Sequence, residues 1–243
     1  MSGPDYDELF KGRPGSVLGR HRDPDPDPRP TPEKQKFVEA KIRRAEEKRP
    51  AKERPWNSNG RRLPPGQAKT DDFPVLDLGH RPLIDTRDWR LSVAGAVERR
   101  LDWDWRAFMA APQVSLSADI HCVTEWSRFD NAWQGVAGRT ILELVRPRPE
   151  AKFLVFHSFD GYTTNLPIER FQADDALLAH AWQGEPLTRE HGGPVRAVIP
   201  SLYFWKSAKW VKHIAVLEKD TPGYWETRGY HNDGDPWKQQ RYG

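Results

Sequence analysis

The chain has 243 residues, 37% of them apolar, and its 11 Trp, 10 Phe and 6 Tyr suffice for a substantial core in one large domain or two small ones. A single cysteine excludes an internal disulfide framework and the common structural zinc sites, which draw on two to four thiolates. The formal net charge of +3 joins unlike parts, because residues 1–66 carry 16 Lys and Arg against 11 Asp and Glu, and the rest carry 22 against 24. The basic excess therefore lies outside the aromatic-rich body, which argues against a nucleic-acid-binding protein, whose signature would be affinity falling steeply with salt.

The first stretch, MSGPDYDELFKGRPG, has no apolar signal core and no twin arginine. No run approaches the roughly 18 apolar residues of a membrane span, so a cytoplasmic protein without a membrane span is expected. Residues 1–66 hold 11 of the 22 prolines but only four aromatic residues. The run RDPDPDPRPTP (22–32) is expected to be extended and polyproline-like. One helix should interrupt it, with Thr31 as N-cap, Pro32 in the first turn, and Val38, Ile42 and Ala45 as a narrow apolar stripe before Pro50. Residues 1–69 are read as a Pro-rich, charged arm wrapping a body of residues 70–243.

From about Thr70, short apolar runs alternate with Gly and Pro. RLSVAG (90–95), VSLSADIHCV (114–123), KFLVFHS (152–158), VRAVIP (195–200) and KWVKHIAVLE (209–218) are predicted strands. DWDWRAFMA, RTILELVR and ADDALLAHAW are predicted short helices. With no repeat and no Gly-rich phosphate loop, the pattern predicts an α+β fold, mixed but with a mostly β core and an extended N-terminal arm.

Three features bear on chemistry. Cys122 shares its parity with Val114, Leu116, Ala118 and Ile120, so it is expected at the end of an apolar strand face, where a cysteine is more often packing than catalysis. Residues 191–217 contain Arg196, Lys206, Lys209 and Lys212 and no acidic residue, with Gly192 and Gly193 permitting close backbone approach; such a stretch suits a phosphate-bearing ligand or a solvated basic edge strand. The run 223–243, GYWETRGYHNDGDPWKQQRYG, is polar yet dense in Trp and Tyr, which favours a segment laid over the body with its rings as anchors.

HCVTEWS (121–127), HGGPVR (191–196) and KSAKW (206–210), in that order, resemble the molybdopterin-binding domain of the sulfite oxidase family. The resemblance covers roughly residues 70–243. It is nearest to the short, heme-free bacterial members, which are related to the catalytic subunit of methionine sulfoxide reductase. It implies that Cys122 is the protein thiolate bound to molybdenum, beside the two dithiolene sulfurs of the pterin. It further implies pterin contacts at Asp77, His121, Ser158, His191, Arg196, Ser207, Ala208 and Lys209. Tyr230 matches a tyrosine beside the metal, so Cys122 and Tyr230 are the catalytic candidates. FPVLDLG (73–79) resembles an early pterin-contacting loop, but an RNH triplet of true sulfite oxidases is replaced by Val75-Leu76-Asp77, leaving the sulfite-binding arginine without a counterpart.

The resulting expectation is a molybdenum-cofactor oxidoreductase. It would transfer an oxygen atom on a small S- or N-containing substrate, by S-oxide or N-oxide reduction or by sulfite-type oxidation. It would act as a monomer or weak oligomer with an unidentified electron donor or acceptor. A non-catalytic molybdopterin carrier or storage protein would share the pterin contacts and is the alternative.

Overall fold

The computed structural model describes residues 32–47 and 62–243. The expected polyproline-like run up to residue 31, with its Thr31 cap, lies outside the described residues. In chain order come α1 (Pro32–Glu46), β1 (Ala68–Lys69), β2 (Arg90–Gly95), β3 (Leu101–Asp104), α2 (Trp105–Ala110), β4 (Gln113–His121), β5 (Trp126–Ala137) and α3 (Gly138–Val145). There follow β6 (Phe153–Ser158), β7 (Thr163–Pro167), α4 (Ile168–Gln172), β8 (Leu177–Trp182), β9 (Glu185–Pro186), β10 (Arg196–Val198) and β11 (Val211–Leu217). Short strands outweigh short helices, and the fold is α+β with a mostly β core.

One sheet runs β3-β2-β11-β6-β7. Its middle strand β11 pairs parallel to β2 and antiparallel to β6, and Val211, Ile214, Ala215 and Val216 are all buried. A strand covered on both faces reads as a near-continuous apolar run, which is why β6 and β11 are plain in the sequence. The second sheet is organised on β5, which pairs with β4, β1 and β8, while β8 also pairs with β9 and β10.

Two expectations change, and one strand was not expected. ADDALLAHAW is not a helix but contains strand β8, whose Leu177, Leu178 and Ala179 are buried between β5 and β10; ladder pairing on both edges overrides the helix propensity of Ala and Leu. DWDWRAFMA divides, because Asp104 ends β3 and caps α2 by accepting a hydrogen bond from the Ala107 N–H at 2.8 Å. β5, with Arg128, Asp130, Asn131 and Gln134 along it, has too weak an apolar signal to be predicted.

The main core cluster gathers Val38 and Ala45 of α1, Cys122 and Val123 beyond β4, and Trp225 and Tyr230 of the 223–243 segment. That segment is laid over the body as its rings suggest. Tyr230 and Tyr242 form an antiparallel bridge, and the Arg241 guanidinium donates to the Pro65 and Gly66 carbonyls at 3.2 and 3.4 Å.

Candidate functional site

The chain connects β4 to β5 through Cys122, Val123, Thr124 and Glu125. The Glu125 N–H donates to the Cys122 carbonyl at 3.0 Å and the Cys122 N–H to the Trp126 carbonyl at 2.8 Å, with Glu125 in the left-handed region at φ 72. A third bond, from Gln67 Nε2 to the Cys122 carbonyl at 3.0 Å, ties the turn to the preceding segment. Strand β4 therefore stops at His121, short of the expected Val123. Cys122 also leaves the face it was expected to share: Ile120 packs with Val114, Leu116 and Ala118 in one cluster, and Cys122 belongs to the other. Its Sγ lies 3.1 Å from Thr124 Oγ1 and faces a cavity.

That cavity encloses about 770 Å³ with its open mouth included. Of the predicted site residues, Asp77, Cys122, His191, Arg196, Ser207, Lys209 and Tyr230 line it. His121, Ser158 and Ala208 lie behind the wall. His121 is buried, with Nδ1 2.8 Å from Ser127 Oγ, and burial pushes its pKa down to about 4. Ser158 ends β6 with its hydroxyl buried and unpartnered, and the Ala208 carbonyl accepts from the Ala197 N–H at 2.8 Å.

At one end, Cys122 faces an aromatic box. Tyr230 stacks on Trp225 at 4.9 Å and meets Trp205 edge-on at 5.0 Å. Burial, reinforced by neighbouring Tyr242 and Cys122, pushes the Tyr230 phenol far above its ordinary range, so it stays protonated.

The opposite end is cationic. His191 stacks on Phe73 at 4.0 Å, and Arg196 sits against the Phe204 ring at 4.2 Å. Arg196 is 2% exposed, and it donates to the His191, Ser207 and Ala197 carbonyls at 2.9, 3.0 and 3.3 Å; none of these partners is a carboxylate. Burial alone lowers its pKa to about 9. A buried guanidinium held only by carbonyls and rings is poised for an anion. Beside it, Lys209 donates to the Glu190 carbonyl at 2.8 Å and lies 3.9 Å from Asp77. Burial, only partly offset by Asp77, brings Lys209 down to about 7. His191 falls to about 4 for the same reason, helped by Arg196. Gly192 adopts φ +102 where an added Cβ would lie 2.8 Å from Lys209 Cβ, so the backbone must remain bare there.

Asp77 has a different part from an open carboxylate. Its side chain is fully buried, accepting from the Gly79 N–H at 2.9 Å and Arg81 Nε at 2.7 Å. Lys206, counted with the cations of this stretch, is no anion ligand either: it pairs with Glu226 at 2.6 Å in the interior. Lys212 is exposed.

Several lining residues were not anticipated: Lys41 of α1, Asp160, Tyr162 and Trp225. Asp160 sits in the β6–β7 turn, accepting from the Tyr162 N–H at 3.0 Å, and burial raises it to about 6. DGY (160–162) is a turn signal in the sequence, but nothing local marks it as a cavity wall.

Residues 78–225 match the model of the oxidoreductase molybdopterin binding domain. The chain belongs to this family. It is an oxidoreductase, and its cofactor is molybdopterin. It is 47% identical over 182 residues to the uncharacterized oxidoreductase YuiH of Bacillus subtilis, covering 74% of this chain and 92% of that protein. It is 26% identical to the mitochondrial sulfite oxidase of Drosophila melanogaster and 26% identical to the methionine sulfoxide reductase catalytic subunit MsrP of Campylobacter jejuni. The alignments cover 75% and 65% of this chain but only 37% and 58% of those proteins. Among solved structures, sulfane dehydrogenase SoxCD from Paracoccus pantotrophus shares the fold, with a TM-score of 0.54 at 20% identity, covering 90% of this chain and 60% of that one. Among the described residues no helix is long and apolar enough to cross a membrane, and no three His, Cys, Asp or Glu side chains group to hold a metal ion by themselves.

Proposed function

We propose that the cavity holds the molybdenum form of molybdopterin, with Cys122 as the protein thiolate on the metal, and that the enzyme moves one oxygen atom between water and a small S- or N-containing substrate. The observation that carries this reading is that one cavity is lined by the chain's single thiol, by aromatic rings, and by the cations Arg196 and Lys209. A soft thiolate suits molybdenum, and the pterin's own sulfurs would complete a donor set that side chains among the described residues do not provide.

When bound, the cofactor supplies two-electron redox chemistry suited to oxygen-atom transfer. The chain's residues supply the rest. Arg196 and Lys209 offer bidentate and point-charge partners for the pterin phosphate, with the His191–Phe73 stack beside them. Asp77 steadies Lys209 and Arg81, so it belongs to the electrostatic frame of the pterin end. Trp205, Trp225 and Tyr230 exclude water from around Cys122, and the Tyr230 hydroxyl is the group that holds a proton there.

Elemental analysis tests the proposal. Wild-type protein from a molybdenum-replete host should carry near-stoichiometric molybdenum, and Cys122→Ala should lose metal coordination. Wild-type protein without molybdenum, or unchanged coordination in Cys122→Ala, would overturn it.

A further inference from the structure

Gln67 and Thr124 both reach Cys122, at different atoms of it. Both backbone polar groups of Cys122 are committed. Its N–H donates to the Trp126 carbonyl, and its carbonyl accepts from the Glu125 N–H and from Gln67 Nε2. A carbonyl can only accept, so it orients the Gln67 amide and leaves Gln67 Oε1 to take the Ser127 hydroxyl proton at 3.2 Å. The Ser127 oxygen is then left to accept from His121 Nδ1 at 2.8 Å. Gln67, Ser127 and His121 are all buried, so this chain of bonds holds the Cys122 backbone in one place.

The sulfur has a different partner. Among the described residues, Thr124 Oγ1 at 3.1 Å is the one hydrogen-bonding partner of Cys122 Sγ, and that hydroxyl makes no other such bond. Tyr230 lines the same cavity, but no hydrogen bond joins its hydroxyl to the sulfur. In a free cysteine either atom can donate. A metal-bound thiolate has no proton to give, so the Thr124 hydroxyl becomes the donor. Cys122 is 5% exposed and shares the lining with Val123, Trp205 and Trp225, so little water competes for the sulfur. A hydrogen bond to a ligating sulfur draws charge from it and stabilises the reduced, more electron-rich metal.

We propose that Thr124 is a positioning residue for the Cys122 sulfur: its hydroxyl donates to the metal-bound thiolate, orients it and raises the reduction potential of the metal. This deepens the functional reading above and rests on it. The role needs no contact with pterin or substrate, so cofactor occupancy and metal potential separate in an experiment.

The test uses full-length holoprotein, wild type and the variants Thr124→Val, Thr124→Ser and Cys122→Ala, with molybdenum per chain measured first. Valine keeps the branched shape and drops the hydroxyl, whereas serine keeps the hydroxyl. Redox titration followed by electron paramagnetic resonance of the metal gives the potential, and resonance Raman gives the metal–sulfur stretch. In the wild type, exchange into deuterium oxide should move that stretch, because an exchangeable O–H is the donor. Thr124→Val should keep wild-type molybdenum content and thermal midpoint, lose the deuterium sensitivity and titrate at a lower potential. Thr124→Ser should restore both properties. A wild-type stretch indifferent to deuterium, an unchanged potential in Thr124→Val, or a Thr124→Ser protein that behaves like Thr124→Val would overturn the proposal. The wild-type deuterium measurement decides the matter even where Thr124→Val does not load metal. Wild-type protein without molybdenum, or unchanged metal coordination in Cys122→Ala, would instead overturn the assignment of Cys122, and this proposal with it.

Discussion

Lys206 and Glu226 meet at 2.6 Å with both side chains essentially inaccessible to solvent, joining the basic stretch to the segment that carries Tyr230. Glu226 Oε1 also accepts from Trp205 Nε1 and from Thr164 Oγ1, each at 2.9 Å, and Lys206 donates to the Asn165 carbonyl at 2.7 Å. Desolvation dominates this pair and pulls the Lys206 pKa down against the pull of Glu226. Removing one partner strands the other charge. Lys206→Met should therefore cost about 3–5 kcal/mol of stability, and adding Glu226→Gln should recover part of that loss. A double-mutant cycle in denaturant measures the coupling directly.

Tyr230→Phe removes the hydroxyl and keeps the stack on Trp225. Molybdenum content should be unchanged while turnover falls about 100-fold, the scale of losing a positioned proton donor. Equal turnover would take the hydroxyl out of the chemistry.

Arg196→Ala leaves the His191 and Ser207 carbonyls without their donor and the pterin end without its buried cation. Pterin affinity should fall at least about tenfold, as expected for one charged hydrogen bond. Extracted pterin per chain reports it. Arg196 makes none of the hydrogen bonds at Cys122, so turnover in the residual loaded fraction should persist.

If the pterin phosphate sits beside Lys209 as proposed, cofactor binding should depend on pH. Burial lowers its pKa to about 7 in the folded chain, below its ordinary value of 10.5. An anion favours the ammonium and raises that pKa, so binding draws in a proton. Affinity for the pterin phosphate should be strongest below pH 7 and fall as pH rises through it. Lys209→Arg should flatten the profile, because a guanidinium does not titrate there.

Gly192→Ala combines a left-handed backbone with a methyl group 2.8 Å from Lys209 Cβ. It should lose about 1–3 kcal/mol of stability, read by thermal unfolding, and displace Lys209 enough to reduce pterin content.

Much of this site is legible in the residues, and what is not follows from distance along the chain. β6 and β11 bury consecutive residues over both faces and β2 buries Leu91, Val93 and Ala94, so apolar runs reveal them. The acid-free stretch 191–217 marks Arg196 and Lys209, and both line the cavity. Composition alone does not separate them from Lys206, whose counter-ion Glu226 comes from the next segment. Strand parity misassigns Cys122 because a period-2 pattern carries no information past the residue where a turn begins. Lys41 is the least accessible of all to such reading: on α1 it is one charged residue of a basic helix, and only folding brings it to Trp225.

The anchoring of Arg241 to Pro65 and Gly66, with Tyr242 bridged to Tyr230, has a bearing on biosynthesis. Chains leave the ribosome from the first residue onward. Cys122, Arg196 and Lys209 therefore emerge before Trp225, Tyr230 and the residues that pin them. Until residues 225 to 242 have folded over the body, the cavity lacks Trp225 and Tyr230 from its lining.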